Sequence, residues 1–218
     1  MPLSKTININ DITIYVWHIT ESPEDLLSLL LLQDSLADIE MRKNFKAVSR
    51  QQEALVERLL IYEHFKNHQV SLCHRKNGSP YLLNANQNIS ISHTKGWVAL
   101  ALSGKANFGI DIETIASQQR VSKIKDYFMT PFEYPQGEDV SHLYQLVVWC
   151  AKESVFKSQV NGVVNSMKDY YIPFFELREE GFFPAFFQGG KSRNEVGVTY
   201  DINQSYVLTV ADACGVIP

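Results

Sequence analysis

Three apolar runs, "NISISHT", "WVALALSG" and "FGIDIETI", follow one another from Asn88 to Ile115 with only short polar breaks, which predicts consecutive strands in the middle of the chain. The third run spends two of its eight positions on acids. Alternate strand residues share a face, so Asp111 and Glu113 stand together while Ile110 and Ile112 occupy the other side. One reading is an edge strand with a solvated acidic face. The other is a divalent cation that offsets the repulsion, because hard ions such as Mg²⁺ take carboxylate oxygens. A third ligand would decide between them.

Helical patterns surround these strands. "INDITIYVWHI" reads as a first strand and "ESPEDLLSLLLLQDSL" as a helix, with Ser22 at its N-cap, Pro23 in the first turn and Glu24 and Asp25 at its positive end. A second helix is predicted over "RKNFKAVSRQQEALVERLLIYEHF". Ala47, Leu55, Leu59 and Tyr62 fall at helical spacings there, and Arg42, Lys43, Lys46 and Arg50 make its beginning basic. "KNGSPYLL" is a turn signal. Beyond Ile115 a polar stretch with Pro131, Pro135 and Gly137 reads as a loop before the helix "YQLVVWCAKESVFKSQV". The remainder, "YYIPFFELREEGFFPAFF" to "SYVLTVAD", reads as strands joined at "QGGKSRNE".

Helix therefore precedes a set of strands in both halves. The expected fold is α+β with two similar lobes, residues 1–107 and 108–218, each a helix on a small, mainly antiparallel sheet. The chain has 218 residues, 45% of them hydrophobic, enough to fill such cores. A net charge of −4 argues against a general nucleic-acid binder. Cys73, Cys150 and Cys214 are odd in number and widely spaced, which suits a reducing cytoplasm better than a disulfide framework or a cysteine zinc site. "LLSLLLL" is too short to cross a bilayer, and the start lacks the apolar core of a signal peptide, so no membrane association is expected.

The third acid comes from "WCAKESVFKS". On a helix Trp149, Glu153 and Lys157 succeed one another on one face, and apolar Leu146, Val147, Val148, Val155 and Phe156 surround the acid. A surface Glu–Lys pair explains the spacing alone. The apolar setting suggests instead a partly buried carboxylate that needs a partner.

"FGIDIE" followed by "WCAKES..K" resembles the paired signature of the 4′-phosphopantetheinyl transferases, in particular the larger, two-lobed type that activates surfactin synthetase. "NISISHTKGWVALALS" is similar to that family's upstream segment, "KNGSPYL" to its Gly-Lys-Pro turn and "SRQQEALVERLL" to its arginine-bearing helix. The resemblance implies a cytoplasmic monomer with its active site between the lobes. It implies transfer of 4′-phosphopantetheine from coenzyme A to a serine of an apo acyl or peptidyl carrier protein, releasing 3′,5′-ADP. It further implies a Mg²⁺ ion on Asp111, Glu113 and Glu153, with Glu153 also a proton acceptor and Lys157 neutralising phosphate. His93, with Ser92 positioning it, would meet a CoA phosphate; Arg50, Arg42 and Lys46 would take the 3′-phosphate. Ser79 stands where the family often has lysine, and Lys76 or Arg75 could supply that charge. An inactive relative that only holds CoA or a carrier, and an unrelated Mg²⁺ phosphohydrolase, are the competing readings. Cys150 beside Trp149 has no Cys/His arrangement to make it a nucleophile and reads as a small core side chain.

Overall fold

The computed structural model describes residues 3–33, 46–66, 69–135, 139–159, 166–189 and 192–212. The chain divides into two compact units, Met1–Lys105 and Ala106–Pro218. Both are mixtures of helices and antiparallel sheet.

In the first unit, β1 (Leu3–Ile9) and β2 (Ile12–His18) form a hairpin. The single strand expected over "INDITIYVWHI" thus begins inside a turn. Asn10 and Asp11 both have positive φ, 45° and 62°, a conformation these two side chains tolerate and two-residue hairpins require. Then come α1 (Pro23–Gln33), α2 (Val48–Phe65), the short hairpin β3 (Ser71–His74) and β4 (Pro80–Leu83), β5 (Asn88–Thr94) and β6 (Trp97–Ser103). The four-stranded sheet runs β1-β2-β6-β5. Leu26 and Leu30 of α1, Leu55, Leu59 and Leu60 of α2, and Val98, Leu100 and Leu102 of β6 make one core. The second helix begins later than the periodicity suggests: Ala47 is its extended, exposed N-cap and lies off the apolar stripe.

In the second unit, β7 (Phe108–Thr114) is followed by α3 (Gln118–Ser122), α4 (Lys125–Phe128) and α5 (His142–Ser158), then β8 (Tyr170–Tyr171), β9 (Glu180–Gly189), β10 (Ser192–Ile202) and β11 (Tyr206–Asp212). The five-stranded sheet runs β7-β11-β10-β9-β8, and α5 packs on β7 and β11. Two expectations need correction here. The supposed loop between Ile115 and α5 holds two short helices and a 3-10 turn at Pro131–Glu133, anchored by buried Val121, Phe128 and Met129. The run "YYIPFFEL" is strand only at Tyr170–Tyr171, because Pro173 supplies no donor to a ladder. Pro184 is tolerated inside β9 since β8 reaches only Phe186 and Phe187.

Candidate functional site

β7 lies at a sheet edge, yet its acidic face is covered rather than solvated. A Cβ built on Gly109 would stand 2.2 Å from the Ser154 carbonyl oxygen and 2.6 Å from the Ser158 nitrogen, so the backbone of α5 rests directly on that glycine. Asp111 and Glu113 share its face by alternation, and Ile110 and Ile112 are buried on the opposite one. The close approach brings the end of α5 to the acids: Lys157 Nζ donates to Asp111 Oδ1 at 2.7 Å. Glu113 accepts from Ser117 Oγ at 3.0 Å and from Arg120 at 3.2 Å. Thr209 of β11, the cross-strand partner of Asp111, donates its Oγ1 to the Cys150 carbonyl at 2.8 Å, which fixes the helix against the sheet.

Glu153 belongs to the same electrostatic group. Its carboxyl is pushed up to about 7, by burial first and then by the Asp111 charge, while Lys157 pulls the other way. Burial, followed by the Asp111 and Glu113 charges, also holds the Cys150 thiol well above its ordinary value, which suits core packing and not a nucleophile. Trp149 packs edge-on against Phe128 at 5.2 Å.

Next to this group is an ion pair that sequence reasoning missed. Lys152 and Glu133 are both 0% exposed and 2.7 Å apart. Lys152 also donates to the Phe128 carbonyl, and Glu133 accepts from the backbone nitrogens of Thr130 at 2.7 Å and Ile172 at 3.0 Å. Burial lowers the lysine pKa and Glu133 opposes that shift. The signal was present in "TPFE": Thr130 and Glu133 form a capping box with Pro131 at the first position of the turn.

In the first unit, two expected phosphate-binding residues meet. Arg50 Nη1 lies 3.1 Å from His93 Nδ1 and 2.7 Å from Glu53 Oε2. His93 Nε2 is 3.5 Å from Glu57 Oε1. Neither acid was singled out in the sequence, although their i+3 and i+7 spacing from Arg50 places both on one side of α2. Ser92 is buried, and strand alternation turns its side chain to the face opposite His93. Lys46 is exposed ahead of α2, and Lys76 is exposed in the turn between β3 and β4. Arg75, in the same turn, donates to the Pro80 carbonyl at 3.0 Å and lies over the Tyr81 ring. Arg42 lies outside the described residues.

Among the described residues no three His, Cys, Asp or Glu side chains stand close enough to hold an ion as they are. The acids of β7 and α5 nevertheless fit a hard divalent cation by their chemistry: three carboxylates, one of them pushed up to about 7 by burial first and then by the Asp111 charge, with Lys157 as the site's own positive charge.

Residues 107–211, from just before β7 to the end of β11, match the family model of the 4′-phosphopantetheinyl transferase superfamily. Its similar relatives include enterobactin synthase component D from Escherichia coli strain K12, 36% identical over 86 residues, and the proteins of the same name from E. coli O157:H7 and Shigella flexneri, each 35% identical. The aligned part is 38% of this chain and 41% of the length of those relatives. No helix among the described residues is long and apolar enough to cross a membrane.

Proposed function

We propose that this protein transfers 4′-phosphopantetheine from coenzyme A to a serine of an apo acyl or peptidyl carrier protein, releasing 3′,5′-ADP, as a monomer of the larger, two-lobed type acting in the cytoplasm. The observation that carries the reading is the group Asp111, Glu113, Glu153 and Lys157, held together by the seat of α5 on Gly109 within the span that matches the superfamily.

Asp111, Glu113 and Glu153 would hold Mg²⁺, which when bound draws charge from phosphoryl oxygens. Lys157 already lies on Asp111, within the reach that a phosphate oxygen at that carboxylate would need. It can pass from the carboxylate to the departing phosphate and neutralise it. Glu153 would also accept the serine proton, directly or through a water; the bound ion lowers its proton affinity from the value of about 7 that burial gives the carboxyl in the metal-free protein. Burial of the group limits competing water. The first unit supplies Arg50 and His93 to phosphate, and its exposed Lys46 and Lys76 are further cations for the same anionic substrate. Each unit thus provides its own part of the reaction.

Incubation with CoA, Mg²⁺ and a panel of apo carrier proteins tests the reading by intact mass. One carrier should gain a single phosphopantetheine group, and Asp111→Ala should abolish the gain. CoA consumption without an acceptor would replace the proposal with a phosphohydrolase, and CoA binding without transfer would replace it with a binding module.

A further inference from the structure

The cluster on α2 holds more acid than phosphate recognition calls for. Arg50 and His93 would welcome a phosphate, but Glu53 and Glu57 stand between and beneath them. Glu53 already takes the Arg50 charge at 2.7 Å. Arg50 Nη1 lies against both ring nitrogens of His93, Nδ1 at 3.1 Å and Nε2 at 3.3 Å, and Nε2 also faces Glu57 Oε1 at 3.5 Å. Glu57 is 9% exposed, and a dianion arriving at Arg50 and His93 would place two more negative charges beside it.

We propose that Glu57 and His93 act as a proton-accepting pair: a phosphate monoester bound at Arg50 and His93 draws a proton from solvent onto them, so that Glu57 is a positioning residue that sets phosphate affinity and its pH dependence. The inference rests on the reading of this cluster as a CoA phosphate site. Its geometry is that of an imidazole facing two carboxylates, Glu53 at 3.7 Å and Glu57 at 3.5 Å, with the Arg50 guanidinium already held by Glu53 at 2.7 Å. Burial, then Glu53, raises the Glu57 carboxyl to about 7, against the opposing pull of Arg58 and Arg50, so it is half-charged near neutrality and cheap to protonate. Among the described residues of the two elements packed most closely on α2, β6, "WVALALS", has no titratable side chain, and Glu24 and Asp25 of α1 are exposed.

Calorimetric titration of the full chain at pH 8 and fixed Mg²⁺, in two buffers of different ionisation enthalpy, reads the proton directly. The parent should take up most of one proton with CoA and less with dephospho-CoA. Glu57→Gln should take up less than half as much as the parent. It should also bind CoA about tenfold more tightly than the parent at pH 8 and equally at pH 6, as expected for removal of one group titrating near 7. The ligand phosphate's own second ionisation is common to both proteins and cancels in that ratio. Equal proton uptake by parent and Glu57→Gln overturns the role of Glu57, even where CoA is preferred to dephospho-CoA. Equal affinity of the parent for CoA and dephospho-CoA overturns the phosphate site itself, and the proposal with it. The parent's uptake is measured without any substitution, so a poorly folded variant cannot rescue the idea.

Discussion

On α5, Lys152 and Lys157 lie little more than one turn apart, and each holds a carboxylate at 2.7 Å. Around Lys152 the account closes within the chain: both oxygens of Glu133 are taken, by the ammonium and by two backbone donors, and nothing reaches solvent. Around Lys157 it stays open. Asp111 and Glu113 meet a partly buried ammonium and the largely exposed Arg120, and beside them Glu153, by burial first and then by the Asp111 charge, resists ionisation. A closed pair fixes a fold. On the proposed function, an open one leaves charge that a cation and an anionic substrate would complete.

The largest expected effect breaks the open group. Glu153→Gln should lower carrier modification by about 10²- to 10⁴-fold, measured as initial rate by intact mass. The same variant should be more stable than the parent at pH 8 without Mg²⁺, by about 1–3 kcal/mol. The sign follows from the raised carboxyl: its contribution to stability is complete below about 4.5, and is lost as pH rises through about 7, a loss that an uncharged amide does not suffer. Urea titrations at pH 5 and pH 8 check it, and a variant less stable at pH 8 would contradict the raised carboxyl.

The closed pair should answer in the opposite way. Lys152→Met leaves Glu133 buried without its cation and should cost about 3–5 kcal/mol at any pH between 6 and 8, read from the denaturation midpoint. Replacing both members together, Lys152→Met with Glu133→Gln, should recover part of that loss, and full additivity of the two single effects would show that they do not act as a pair. Smaller again is Gly109→Ala, which sets a methyl group into the α5 backbone and should cost about 1–3 kcal/mol. It should also lower transfer, since the acids and Lys157 depend on that contact; unchanged activity would detach the site from the seat of the helix. Least of all, Arg120→Ala should change stability by less than about 1 kcal/mol, because its pair with Glu113 is made by a guanidinium 70% exposed.

Sequence alone made much of this site legible. Strand alternation placed Asp111 and Glu113 on one face, and helical spacing placed Glu153 and Lys157 on another, because both rules depend only on local geometry. What covers a face is a long-range matter. The solvated alternative for β7 failed because Gly109 admits a helix there, a role that a glycine inside a strand hints at without naming the neighbour. Glu133 was hidden for a similar reason: "TPFE" announces a capping box, but not that the acid also reaches a lysine on α5. In the first unit Arg50 and His93 were legible as separate phosphate-binding residues, while their contact with Glu53 and Glu57 needed α2 and β5 side by side. The turn at Asn10 and Asp11 was overlooked because the apolar run on either side reads continuously.

The pairing of β7 with β11 has a consequence in time. The strand that carries two of the three acids joins the strand nearest the end of the described chain, Thr114 opposite Tyr206 and Phe108 opposite Asp212. β7 has no other neighbour in its sheet. During synthesis the acids therefore leave the ribosome long before the strand that must hold them, and must close a loop of nearly a hundred residues, a slow step for non-local pairing. Until then an apolar edge with two charges on it waits unpaired, and a nascent chain halted before Tyr206 would carry all three carboxylates in its sequence without the strand that seats two of them.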